Sequence, residues 1–153
     1  VVFFVLMSRL QTYGPLREPH TINDLIAAMR DTLLTVRRVC DPEGATFEDE
    51  TKSLLTFMVT DGATFAAAHG GKELYVSTYK TRCADRDECP HLAPECEAPS
   101  ESGYINHLLF SSEVIDGDNV WQAMSDGDIM GVDWRMRVAR AHTSKPHLPV
   151  SAS

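Results

Sequence analysis

The sequence predicts an α+β domain, because helix and strand signals are segregated along it. Within 22–39, apolar residues recur at three- and four-residue steps. Beyond Leu54 the pattern changes to strand-like runs, some alternating with period two, divided by the turn dipeptides Asp61-Gly62, Gly70-Gly71 and Asp126-Gly127. Two helices followed by five or six antiparallel strands is the order expected of a layered α+β fold.

Residues 1–11 read as the first helix. Val1, Phe4, Val5 and Ser8 share one side and Val2, Leu6 and Leu10 another, and a segment apolar nearly all round is expected to be buried. Gly14-Pro15 ends it. The apolar opening is too short for a bilayer span and has no basic leader or cleavage site, so it is not a signal peptide. It reads as the continuation of a helix begun elsewhere. The second helix, 22–39, has Thr21 as N-cap with Asp24 three residues on, a capping-box arrangement. Its stripe is Ile22, Leu25, Ile26, Met29, Leu33 and Val36, and Cys40-Asp41-Pro42 stops it. Residues 41–51 are acidic, contain Gly and Pro, and read as a loop.

Strands are expected at 54–60, 63–69 and 73–79. After a long loop, 81–103, they resume at 107–113, around Trp121, and as a pair within 129–138, where Arg135 and Arg137 would alternate on an exposed strand face. The domain is read as 1–138, followed by a polar tail, 139–153. No repeat or low-complexity tract interrupts it.

The formal net charge is −8, which argues against binding a phosphate backbone. Arg37-Arg38 sits where a helix C-terminus favours cations. No apolar run approaches the ~20 residues of a membrane span, and a cytoplasmic location is expected.

The sequence has no G-x-S-x-G elbow and no phosphate loop; Gly70-Gly71-Lys72 is a turn. None of the six histidines has the spacing of a metal-binding helix. His20, His142 and His147 read as exposed and unpaired. His69, at a strand end, and His107, at a strand start, read as structural hydrogen-bonders. Cys83, Cys89, His91 and Cys96 together make a tetrahedral zinc set by number. Their spacing, C-x5-C-x-H-x4-C, is not the C-x2-C of a knuckle or ribbon. One disulfide within the loop and unligated thiols are the other readings. Each leaves the loop's role as restraint, and no neighbouring base marks a cysteine nucleophile. No resident cofactor is expected.

Several segments resemble the class II (type-2) glutamine amidotransferases. Leu54-Leu55-Thr56-Phe57-Met58-Val59-Thr60-Asp61-Gly62 is similar to that family's strand and Asp-Gly turn. Ser77-Thr78-Tyr79-Lys80 stands where the family ends a strand in a Thr-Arg-Tyr-like motif, with Tyr79-Lys80 in place of Arg-Tyr. Leu108-Leu109-Phe110-Ser111-Ser112-Glu113-Val114-Ile115 resembles its apolar strand and Ser-Glu-Pro-Leu, with Val114 in place of Pro. Trp121, Met124, Ser125 and Gly127 follow as in its Trp-containing stretch, and Ile129-Met130-Gly131-Val132 fits the closing strand. Leu6-Met7-Ser8-Arg9-Leu10 resembles the end of the helix after its acidic motif.

The resemblance covers most of 1–138, and it implies a four-layer αββα fold of N-terminal-nucleophile hydrolases. It also implies cleavage of the γ-amide of glutamine or a γ-glutamyl compound by an N-terminal cysteine whose own amine is the base. That cysteine belongs to the family's N-terminal half. The expectation is therefore a C-terminal subunit or fragment with no catalytic residue of its own, partnered by a cysteine-headed polypeptide, with the complete unit able to form homo-oligomers. Tyr79, Lys80, Ser111, Ser112 and Glu113 are its candidates for lining the substrate side. The alternative is a non-catalytic structural or binding module with a Cys/His-stapled loop.

Overall fold

The computed structural model describes residues 1–42 and 52–144. Most of the expected acidic loop, most of the expected tail, and His147 lie outside the described residues. The fold is α+β, with two helices and two antiparallel sheets.

Helix α1 spans Val2–Leu10 and α2 spans Ile22–Cys40. The capping box forms as expected: Asp24 N donates to Thr21 Oγ1 at 3.2 Å, and Thr21 N donates to Asp24 Oδ2 at 3.0 Å. This satisfies backbone donors that the first turn would otherwise leave unpaired. All six stripe residues of α2 are buried, with Ile26, Met29 and Leu33 fully so.

Burial of α1 is one-sided, which corrects the expectation of burial all round. Leu6 and Leu10 enter the core, while Phe3 and Phe4 are 64% and 75% exposed and touch each other edge-to-face. A helix can bury only the face that meets a neighbour, and α2 is the main neighbour of α1.

Strands β1 (Phe57–Thr60), β2 (Phe65–Ala68), β6 (Asp128–Val132) and β7 (Val138–His142) form the larger sheet in the order β1-β2-β6-β7. Residues Ala66, Ala68, Ile129 and Ala139 join the core under the helices. The small side chains let α2 approach closely. Gly131 serves the same sheet: a Cβ there would come within 2.6 Å of Ala66 Cβ and Phe65 O. Strands β3 (Tyr75–Lys80), β4 (Leu109–Ser111) and β5 (Asn119–Ala123) form the second sheet in the order β4-β3-β5. It packs on the face of the first sheet away from the helices. Phe65 and Phe110 meet edge-to-face across that interface, 5.4 Å between centroids, and Val76 and Met130 line a shared cavity.

The Asp61-Gly62 turn joins β1 to β2 as expected. Gly62 has φ +90°, and Asp61 Oδ1 accepts from Ala63 N, Thr64 N and Thr64 Oγ1. Burial alone would raise the Asp61 pKa, but these hydrogen bonds outweigh it and hold the carboxyl below its ordinary value.

Two expectations change at the end of the chain. β7 begins at Val138 and continues to His142, so 139–142 are sheet and not tail; Ala139 and Ala141 pair with Gly131 and Ile129. Arg135 and Arg137 lie in the connection that turns β6 into β7. There Asp133 Oδ1 accepts from both their backbone N–H groups, and Met136 adopts φ +61°. A side chain that accepts local N–H groups favours a turn over a ladder. No helix among the described residues is long and apolar enough to cross a membrane.

Candidate functional site

The second sheet carries a polar site created by an irregularity in β3. Ser77 pairs with Trp121 and Lys80 with Asn119, so β3 has one more residue than β5 between the two pairs. Paired side chains share a face, and residues two apart on a strand share a face. Ser77, Trp121, Asn119 and Lys80 therefore point to one side. Without the extra residue, Lys80 would point to the other. Ser77 also pairs with Leu109, so this side is opposite to the one on which Val76 and Phe110 meet the larger sheet. Ser77 Oγ donates to Tyr79 O at 3.1 Å across the bulge.

His107 lies two residues before Leu109, beside the same corner. Its pKa is held below the ordinary 6.5, first by burial and then by the Lys80 ammonium. Both causes oppose a second positive charge, so the ring is neutral at pH 7. His107 Nε2 and Asn119 Oδ1 are buried and have no hydrogen-bond partner. Among the described residues no carboxylate forms an ion pair with Lys80. This corner therefore combines an ammonium, an imidazole and an amide, with hydrogen-bonding capacity left unused.

The five expected substrate-side residues divide between two places. Tyr79 and Lys80 lie at this corner, both half-buried. Ser111 pairs with Tyr75 at the other end of β3, about 17 Å away at ~3.3 Å per residue. Ser112 and Glu113 lie beyond it, exposed, and Glu113 N donates to Ser111 Oγ at 3.3 Å. They do not form one site with Tyr79 and Lys80. The sequence marks His107 only as structural and does not mark Asn119 at all. The period-two spacing of His107, Leu109 and Ser111 is the one sequence signal that relates His107 to this face.

The long loop contains a short 3₁₀ helix, Pro94–Cys96, that packs against β3. Glu97 Oε1 accepts from Cys83 N at 2.7 Å, and Asn106 Nδ2 donates to Cys96 Sγ at 3.1 Å. These contacts restrain the loop without a covalent or metal staple. Cys83, Cys89 and Cys96 are free thiols, and no group of three or more His, Cys, Asp or Glu among the described residues could hold a metal ion. The zinc set of Cys83, Cys89, His91 and Cys96 is thus not assembled.

A second polar cluster ties α2 to the larger sheet. Arg37 donates to Asp126 Oδ1 at 2.8 Å, and His69 Nδ1 lies 3.4 Å from the same oxygen. His69 Nδ1 also accepts from Gly71 N at 3.3 Å, and a single nitrogen cannot both accept there and donate to Asp126. His142, expected to be exposed and unpaired, is half-buried and bonded. Its Nε2 lies 3.1 Å from Asp126 O, and its Nδ1 accepts from Ser144 N at 3.0 Å and meets Ser144 Oγ at 2.7 Å. Because that lone pair faces the backbone N–H, the Ser144–His142 contact is a local turn and not a nucleophile–base pair. His20 is half-buried and lines a cleft of about 460 Å³ between α1, the α1–α2 connection and the β1–β2 hairpin.

No family model matches the chain, and neither a curated protein nor a solved structure matches it.

Proposed function

We propose that this chain is the C-terminal part of a class II glutamine amidotransferase-like hydrolase that cleaves the γ-amide of glutamine or of a γ-glutamyl compound. The nucleophilic cysteine, its amine base and the oxyanion donors come from a companion polypeptide that also supplies the fourth layer. The observation that carries this reading is the outward apolar half of α1, where Phe3 and Phe4 stand in solvent next to a cleft lined by Met7, Leu10 and Val59. A contiguous apolar area of this kind is characteristic of a surface covered by another polypeptide. The order of two helices and two facing antiparallel sheets, with α1 and α2 on one side, also supports it.

On this reading Tyr79 and Lys80 contribute to the side of the acceptor substrate, and the complete unit is the species that forms homo-oligomers. Mass spectrometry of the native assembly is expected to find a polypeptide headed by cysteine, and the assembly is expected to release ammonia from glutamine until its thiol is alkylated. A native assembly with no cysteine-headed polypeptide would overturn the reading. The cleft favours a second reading, a non-catalytic binding module, which predicts ligand binding by the chain alone and no ammonia release.

A further inference from the structure

We infer that the corner formed by Lys80, His107 and Asn119 is a binding site for a small oxyanion, the carboxylate or phosphate group of a ligand. The bulge in β3 places Lys80 on the same face as Asn119, and it does so at the cost of a regular ladder. His107 Nε2 and Asn119 Oδ1 are both shielded from water and both unpartnered. Buried polar atoms are ordinarily paired. Shielded atoms without a partner occur elsewhere, as at Asn23 Oδ1 and Asp126 Oδ2, but these two flank one ammonium, Asn119 through its pairing with Lys80 and His107 through the charge it feels. The charges indicate the sign of the ligand. Burial and the Lys80 ammonium are the two influences on His107, and no carboxylate among the described residues forms an ion pair with Lys80.

An oxyanion satisfies each group. It accepts a charge-assisted hydrogen bond from Lys80 and one from His107 Nε2–H. A half-turn of the Asn119 amide presents Nδ2–H as a third donor. The chain's net charge of −8 opposes an anion at long range, but salt screens exposed charges beyond about 8–10 Å, while these donors act at contact. The site does not depend on the hydrolase reading, since every group in it belongs to this chain.

The test follows the histidine ring nitrogens of the full chain by NMR during titration with sodium acetate and with inorganic phosphate, at constant ionic strength against chloride. The His107 signals are expected to move saturably in the millimolar range, and its titration midpoint to rise on binding. A response to acetate alone identifies a carboxylate ligand and one to phosphate alone a phosphorylated ligand; either supports the site. Lys80→Met is expected to weaken binding at least about tenfold, and Lys80→Arg to restore most of it. Asn119→Asp, nearly isosteric, places a carboxylate where the anion would sit. It is expected to abolish binding and to raise the His107 midpoint without ligand. Unmoved His107 signals with both anions, or undiminished binding by folded Lys80→Met or Asn119→Asp protein, would overturn the inference.

Discussion

On the helix-bearing sheet, Ala66, Ala68 and Ala139 lie beneath α2, Gly131 admits no Cβ, and the neighbouring Ile129 is fully buried. On the smaller sheet Leu109 is 40% exposed, the β3–β5 register shifts, and His107 and Asn119 hide unpaired atoms. The first region gains stability from close packing and tolerates little change. The second keeps polar groups unsatisfied, a local cost that a bound ligand would offset. Shielded atoms without a partner also occur on the helix side, at Asn23 Oδ1 and Asp126 Oδ2, so the two regions differ in closeness of packing and regularity of register.

The largest test of that contrast is Leu33→Ala. Leu33 is fully buried in α2, and its truncation is expected to cost about 3–4 kcal/mol, read by urea unfolding. Gly131→Ala should cost about 2 kcal/mol, because the added methyl meets the Ala66 side chain and the Phe65 backbone. Thr21→Ala should cost about 1 kcal/mol through loss of the capping box.

The smaller sheet should respond less, and in a pH-dependent way. The folded-state pKa of His107 is depressed, so the unfolded chain binds the proton more readily. The stability difference from a His107→Gln variant should therefore be constant above pH 6.5 and turn against the wild-type chain as pH drops from 6.5 toward the folded-state value. A constant difference across that range would place the imidazole elsewhere. Leu109→Ala should change stability by under about 1 kcal/mol. A loss there as large as that of Leu33→Ala would mean that the two sheets form one equally packed core.

Helix α2 is legible in the amino-acid sequence, because its capping residues and its stripe act within a few residues of one another. The Asp61-Gly62 turn is legible for the same reason: one carboxylate collects N–H groups two and three residues on. The five residues expected on the substrate side fall in two separate places. Tyr79 and Lys80 end β3 at the polar corner, and Ser111 occupies the far end of β3 because the strands run antiparallel. No glycine or proline marks the bulge, so nothing in the sequence shows that Lys80 changes face.

Segregated helices and strands, the capping box and the turns come from short-range periodicity and side chain-to-backbone bonds, and so the chain's local order is written in its residues. The division of the seven strands among the described residues into β1-β2-β6-β7 and β4-β3-β5 was settled by contacts distant in sequence. So were the one-sided burial of α1, the extension of β7 to His142, and the pairing of Lys80 with Asn119 across the bulge. Each of these depends on which surfaces remain available once the chain has collapsed, and a strand's residues specify its two faces but not its neighbours.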